Sequence, residues 1–405
     1  MKNFKNLVPL RRFGRTELKI PILSIGGMRF QESWKDLQEK EITEESQINV
    51  EKIINDSSRK GLNHIETARQ YGTSELQLGN AFKRLQTKNL IIQTKVSPKL
   101  NVDQFETELE KSFFNLKCEK IDLLSIHGIN TSEHLHNTIR RGGCLDVVRK
   151  FQERGKVGSI GFSTHGNCNL IEETIKTDLF DYVNLHWYFI RRENEAALNA
   201  ARKLDLGVFI ISPTDKGGHL HSPSNKLIDL CNPYHPIVFN DLFCLRDSRV
   251  DTISVGLSKI EDLNIHLEAI SYLDNANLIV DNIQQKLIKE AKDILGDRWY
   301  ASCFEGLPSW QDTPGEMNLF VLLWLYNLVE AWDMKEFSRA RYGLLGNAGH
   351  WFPGNNADQL DFSVSEKNLR DSLRDSPWVN EIPDILRNLR EKIGGNSQQR
   401  LSIST

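Results

Sequence analysis

Between residues 20 and 270 the chain alternates short apolar or β-branched runs with longer amphipathic segments, eight times over, and this rhythm limits the folds open to it. The runs are 20–26, 63–67, 90–96, 121–127, 159–163, 182–187, 207–212 and 252–256. Helix-length segments such as 74–85, 102–116, 145–154, 193–204 and 259–270 lie between most of them, with polar residues along one face. Strict strand–helix alternation predicts a parallel sheet, and eight such units predict a closed (β/α)8 TIM barrel. An open doubly wound sheet is the competing α/β solution, but no G-x-G-x-x-G follows the first run. The expected fold is an α/β barrel over residues 10–270.

Two segments break the rhythm. Residues 31–47 hold six acidic and two basic side chains and read as a solvated insertion after the first strand. Residues 213–249, rich in Gly, His, Asn and Pro, read as a structured loop above the seventh strand. After residue 271 the pattern turns to helices without strands, at 282–295, 317–332, 335–345 and 384–393, separated by Gly-, Pro- and Asn-rich loops at 302–316 and 346–361. An appended C-terminal helical subdomain over 271–393 follows, with 394–405 as a disordered tail.

Composition narrows the function classes. With 51 Lys plus Arg against 54 Asp plus Glu, a net charge of −3 supplies no basic field for nucleic acid. The six cysteines, Cys118, Cys144, Cys168, Cys231, Cys244 and Cys303, stand singly and never as C-x-x-C, so no zinc ribbon or cysteine-ligated cluster is spelled out and no metal is expected. They read as buried reduced thiols. The first 19 residues lack the apolar core of a signal peptide, and the most apolar stretch, 317–332, is short for a membrane span and carries Asn327 and Glu330. A cytoplasmic protein without a membrane partner is expected.

Chemistry concentrates where strands end. Glu66 closes the second run, Tyr71 lies in the turn after it, Lys95 sits near the end of the third in IIQTKV, and His127 closes the fourth in IDLLSIHG. Charged and imidazole side chains suit the C-terminal ends of barrel strands, where they converge on one pocket. A tyrosine near pKa 10 is too weak an acid to protonate a forming alkoxide well at neutral pH, and a neighbouring ammonium corrects this. Lys95 would favour the phenolate, Glu66 would keep Lys95 protonated and in place, and His127 would orient a carbonyl oxygen. A structural ion pair for Glu66 and Lys95, and a core histidine for His127, are the plainer alternatives. None of the four donates hydride, so the set calls for a cofactor.

On these residues the sequence resembles the aldo-keto reductase family. The likeness runs through RRFGRTELKIPILSIGGMRF, GLNHIETARQYGTSELQLGNAF, IIQTKV, KIDLLSIHG, GKVGSIGFSTHG and GVFIISPTDKGGHL. It implies a barrel with NADPH as hydride donor, Tyr71 as general acid, Lys95 as its partner, His127 as the orienting histidine and Glu66 at the position of the family aspartate. It further implies that Ser163 and Asn184, at the fifth and sixth strand ends, hold the nicotinamide carboxamide. The Asp-to-Glu change lengthens the carboxylate arm by one methylene, and a misplacement of about 1 Å can cost on the order of 100-fold in rate.

The rest of a dinucleotide site is read from two loops, because a barrel phosphate site commonly uses those after strands seven and eight and a helix N-terminus there. Ser212 to Leu220 offers Ser212, Lys216 and the amides of Gly217 and Gly218 for a pyrophosphate. Gly256 to Lys259 opens a helix whose amides, with Ser258 and Lys259, would hold an adenosine 2′-phosphate. Two departures from the family weigh against NADPH and leave NADH open: Ile211 replaces an aromatic that stacks on nicotinamide, with Trp187 as a substitute candidate, and Asp262 brings an acid to the adenosine end.

The C-terminal part resembles the ferredoxin-like helical extension of one subfamily, but after residue 244 only Cys303 remains, so no iron–sulfur cluster is expected. Trp299, Trp310, Trp351 and His350 there are candidates for aromatic stapling or for a protein-partner surface. The sequence thus predicts an oxidoreductase reducing a small aldehyde or ketone. A catalytically impaired scaffold that binds cofactor or docks a partner is the alternative.

Overall fold

A computed structural model describes residues 8–85 and 89–398. The strands are β1 (Leu10–Arg12), β2 (Lys19–Pro21), β3 (Leu23–Gly26), β4 (His64–Glu66), β5 (Ile91–Val96), β6 (Ile121–His127), β7 (Val157–Ser163), β8 (Tyr182–Leu185), β9 (Gly207–Ile210) and β10 (Thr252–Gly256). β3 to β10 pair in sequence order, all parallel, and β10 closes against β3. This is the expected (β/α)8 barrel. The first run splits in two, because β2 pairs antiparallel with β1 and only β3 joins the barrel.

The barrel interior follows from which side chains point inward. At its base Phe13, Ile20, Leu123, Tyr182 and Phe209 form a fully buried cluster, with the Phe13 and Tyr182 rings 5.3 Å apart. A Cβ on Gly161 would lie 2.5 Å from the Tyr182 ring, and one on Gly207 2.6 Å from Phe13. These two glycines make room for the aromatic plug, each ring of which is worth roughly 2–3 kcal/mol of burial. Above it runs a polar belt. His64 contacts Ser24 Oγ at 2.6 Å and Gln93 Oε1 at 2.9 Å, Gln93 donates to Ser125 Oγ at 3.3 Å, and Ser125 donates to the Tyr182 hydroxyl at 3.0 Å. Burial holds the His64 imidazole down to about 3, so the ring is neutral and each nitrogen has one defined partner.

Helices on the outside are α1 (Glu44–Arg59), α2 (Ser74–Leu85), α3 (Val102–Leu116), α4 (Ser132–Ile139), α5 (Cys144–Glu153), α6 (Cys168–Lys176), α7 (Glu195–Lys203) and α8 (Pro213–Lys216). Their starts are local chemistry. Thr43 accepts from Ser46, Asn101 from Asp103 and Gln104, Thr131 from His134 and Asn167 from Leu170, each offering a side-chain oxygen to the first free amides. α5 buries Leu145, Val148 and Phe151, a helical stripe.

The chain divides into two units. One runs up to Gly217 and includes Asn240–Asn277; the other comprises Gly218–Phe239 and the chain from Leu278 on. The stretch 213–249 is helical for much of its length rather than a loop, with α8, α9 (Asn225–Cys231) and α10 (Pro236–Leu245). α11 (Leu263–Ser271) and α12 (Ala276–Leu295) follow, then α13 (Asp297–Ser302), α14 (Leu319–Trp332), α15 (Lys335–Leu344), α16 (Phe362–Ser372) and α17 (Ile382–Ile393).

In the second unit α14, the most apolar helix, buries Leu322, Leu323, Leu325, Leu328 and Val329, and packs on α15 and α17. Among the described residues no helix is long and apolar enough to cross a membrane. Trp299 donates to Asn327 Oδ1 at 2.7 Å and meets Trp378 edge-on, and Trp378 donates to Ser302 Oγ at 3.1 Å. Trp299 and Trp351 are buried, whereas Trp310 is half-buried. The start of the expected disordered tail is held: Gly395 donates to Asp358 at 2.9 Å and Gln398 to the Gly343 carbonyl at 3.0 Å. Residues 399–405 lie outside the described residues. Four cysteines are buried, but Cys118 and Cys168 are partly exposed.

Candidate active site

β4 ends at Glu66, but the chain beyond it stays paired to β5, with Thr67 N–H donating to Gln93 O at 2.8 Å and Arg69 N–H to Lys95 O at 2.9 Å. That extension carries the backbone over the barrel mouth before a turn at Tyr71 starts α2. Ser74 fixes the turn, donating to the Gly27 carbonyl at 2.8 Å. Gly72 is obligatory here: its φ is +54°, and a Cβ would fall 1.9 Å from the Ser33 carbonyl oxygen.

The insertion at 31–47 is therefore no free solvated loop. Glu32 and Ser33 amides donate to Thr73 Oγ1 at 2.9 and 3.2 Å, and Asp36 binds both Arg69 and Lys111. Burial alone would raise the Asp36 carboxyl, but the two cations outweigh it and hold it low. From residue 44 the segment is α1. Its acidic composition reflects partners on neighbouring elements.

Glu66, Tyr71, Lys95 and His127 meet at this mouth. The Lys95 ammonium is buried and has three donors and three acceptors: a Glu66 carboxylate oxygen, the Thr67 carbonyl at 2.7 Å and the Tyr71 hydroxyl at 3.3 Å. Burial alone would lower its pKa, but Glu66 and Tyr71 outweigh burial and raise it, so Lys95 is charged. The other Glu66 oxygen accepts from Ser254 Oγ at 2.9 Å. Room for this longer carboxylate comes from β3: a Cβ on Gly26 would lie 2.6 Å from Ser254 Oγ and 3.4 Å from Glu66 Oε1. The His127 ring stands edge-on to Tyr71 at 5.8 Å, and its Nδ1 is 2.8 Å from the Gln70 side-chain amide. Gln70 can meet either tautomer of His127 by turning its amide; with Nδ1 accepting, Nε2 carries the hydrogen that a carbonyl oxygen needs.

Ser163 and Asn184 are register partners on β7 and β8. Ser163 Oγ accepts from Gly128 N–H at 3.1 Å. Asn184 is fully buried, yet neither its side-chain oxygen nor its nitrogen has a partner. An unpaired buried amide costs roughly 1–3 kcal/mol for each polar group, which is explained when a ligand supplies the pairing. A carboxamide, donor and acceptor side by side, matches it group for group.

The two phosphate loops differ from expectation. Ser212 leads α8 in a left-handed conformation, φ +51°. Gly217, expected to offer its amide to a pyrophosphate, donates it to Pro213 O at 3.0 Å, inside the turn of α8. Gly218, at φ +131°, is the first residue of the second unit. Lys216 Nζ lies 3.4 Å from both His165 Nε2 and His186 Nε2. After β10, Ser258 and Lys259 amides, expected to seat a 2′-phosphate, donate instead to Asp262 Oδ2 at 2.8 and 3.2 Å. Gly256 backs onto Arg29, whose Nη1 donates to Ser258 Oγ at 3.1 Å. Trp187, the substitute candidate for the missing aromatic, stacks on Phe243 at 4.9 Å and donates to Glu195 at 3.2 Å.

His165 and His186 escaped the sequence reading. Tyr188 gives its proton to the Ile211 carbonyl and accepts from His186 Nδ1 at 2.5 Å, which makes His186 Nε2 an acceptor, 3.1 Å from His165 Nδ1. The signal was their place directly after two strand ends, in GFSTH and NLHWY. Among the described residues no group of three or more His, Cys, Asp or Glu is arranged to hold a metal.

A model of the aldo/keto reductase family matches residues 22–274, the barrel and the helix after its last strand. The chain belongs to the aldo/keto reductase family. Among solved structures it is similar to aldo-keto reductase AKR11C1 from Bacillus halodurans in its holo form, at 18% identity and TM-score 0.58 over 69% of this chain and 96% of that one. A putative aldo-keto reductase from Pseudomonas aeruginosa matches at 18% and 0.53 over 68% of this chain and 99% of its own. The thermostable aldo-keto reductase Tm1743, in complex with the inhibitor epalrestat, matches at 20% and 0.55 over 67% and 99%. No curated protein matches the chain. Family membership makes it an oxidoreductase that reduces small-molecule carbonyl compounds.

Proposed function

We propose that this aldo/keto reductase reduces an aldehyde or ketone at the mouth of its barrel, with Tyr71 as the proton donor and a reduced nicotinamide dinucleotide as the source of hydride. The observation that carries this reading is the Lys95 ammonium, 3.3 Å from the Tyr71 hydroxyl and held by Glu66 and the Thr67 carbonyl. As the carbonyl oxygen gains negative charge it draws the phenolic proton. The negative charge left on Tyr71 then lies beside a cation already in place, with no reorganisation needed. His127 would hold the carbonyl oxygen through a hydrogen on Nε2, the tautomer that Gln70 supports when its side-chain amide is turned to donate to His127 Nδ1.

When bound, a reduced nicotinamide dinucleotide would supply the hydride, which no side chain here can give. Asn184 and Ser163 would hold its carboxamide, and the two orphaned atoms of Asn184 are what supports that fit. The family resemblance implies NADPH, while the Asp262 hydrogen bonds bear on that choice. The test is Tyr71→Phe: carbonyl-dependent nucleotide oxidation should fall by about 100-fold or more while nucleotide affinity stays within twofold. Undiminished turnover would refute the assignment.

A further inference from the structure

We infer that Asp262 is a specificity-determining residue that closes the adenosine end of the site to a 2′-phosphate, so that NADH rather than NADPH is the nucleotide this chain takes. The inference rests on the reading that the barrel mouth holds a nicotinamide dinucleotide.

The loop after the last barrel strand is where backbone amides are offered to a phosphate, because they precede a helix and have no intrahelical partners. Here those amides are already satisfied. One carboxylate oxygen of Asp262 takes both Ser258 N–H at 2.8 Å and Lys259 N–H at 3.2 Å, from the last residue before α11. A 2′-phosphate would have to displace an internal anion from two charge-assisted hydrogen bonds, and would then lie beside the charge it displaced. The loop is also anchored from behind, with Asn49 donating to the Ser258 carbonyl at 2.8 Å, so the amides are fixed toward Asp262.

Arg29 donates to Ser258 Oγ, Lys52 pairs with Glu261 at 3.8 Å, and Arg29, Ser258, Lys259 and Glu261 are all exposed. Exposed cations are screened and contribute little directional binding, whereas the carboxylate holds the directional donors. An acid at this end of a dinucleotide site has a positive use as well, since it accepts hydrogen bonds from a free ribose hydroxyl, a contact that the 2′-phosphorylated nucleotide lacks.

The experiment is equilibrium binding of NADH and of NADPH to the full chain, read by quenching of tryptophan emission, with adenosine 2′,5′-bisphosphate and ADP as competitors. The wild type should bind NADH at least about tenfold tighter than NADPH, and ADP should compete better than the bisphosphate. Asp262→Ala, which releases both amides, should shift the NADPH-to-NADH affinity ratio by about tenfold toward NADPH. Asp262→Asn keeps a capping side chain without its charge and should shift the ratio the same way, so a folding defect in the alanine variant leaves the test intact. A wild type that prefers NADPH, or variants that leave the ratio where it was, would overturn the role of Asp262 while the dinucleotide reading stands. Failure of either nucleotide to bind the wild type would overturn both.

Discussion

Glu66→Gln isolates the electrostatics of the site with almost no change in shape. Lys95 and Glu66 are both buried, and the ammonium has no water to turn to when its carboxylate is neutralised. Removing one partner of a buried ion pair costs about 3–5 kcal/mol, and because the glutamine oxygen can still accept from Lys95 the lower end applies. Urea unfolding at pH 7 should therefore show the variant about 3 kcal/mol less stable. Its pH dependence is the sharper test. In the wild type Glu66 and Tyr71 outweigh burial and raise Lys95 above its ordinary value, so its contribution is intact below pH 10.5 and is lost only as pH rises through the higher folded value. In the variant burial prevails and the folded pKa drops below the unfolded one. Between those two values the unfolded chain binds more protons, and the variant gains stability with rising pH. The gap between the two proteins should thus narrow as pH rises toward 10.5. A gap below about 1 kcal/mol, or one that stays constant over that range, would refute the claim that Lys95 is a buried cation balanced by Glu66.

Three further outcomes follow from named contacts. Asn184→Leu should weaken nucleotide binding by about tenfold or more yet leave the ligand-free protein as stable or more so, because it removes a buried amide with no partners; calorimetry and binding on the same sample check this, and loss of both would contradict it. Gly26→Ala places a Cβ 2.6 Å from Ser254 Oγ, so kcat should fall by about tenfold through displacement of Glu66 while nucleotide affinity holds; unchanged kcat would show that Ser254 does not support Glu66. His64, depressed to about 3, contributes stability above pH 6.5 that is progressively lost as pH falls from 6.5 toward 3, since the unfolded imidazole takes up a proton that the buried ring refuses. Acid titration of His64→Gln by circular dichroism should show a shallower loss across that window, and an identical profile would place the acid sensitivity elsewhere.

What was legible in the sequence were features that each residue declares locally. The apolar and β-branched residues of β6 and β10 stand out between polar helical segments, and the ends of both strands were found to the residue. Lys95 and His127 announced themselves because such groups are costly in a strand interior and serviceable at its end. What remained hidden depends on pairs distant along the chain. The acidic segment 31–47 looked solvated because composition does not reveal that Asp36 faces Arg69 and Lys111. The Gly256–Lys259 loop looked like an open phosphate seat because a sequence does not show that the side chain of Asp262 turns back onto its amides.

Glu66 is the most instructive of these. Judged alone, an added methylene next to a catalytic lysine predicts a misplaced cation and a slowed reaction. In the fold the extra length is taken up between β3 and β10, where Gly26 has no side chain to occupy the space and Ser254 donates to the oxygen that Lys95 leaves over. The lysine consequently keeps three acceptors, one of them the Tyr71 hydroxyl. Glu66 is thus seated as one unit with Gly26 and Ser254, which leave it room and a donor. Shortening Glu66 alone to aspartate should then lower kcat rather than raise it, because Ser254 and the space beside Gly26 would be left without the oxygen they accommodate.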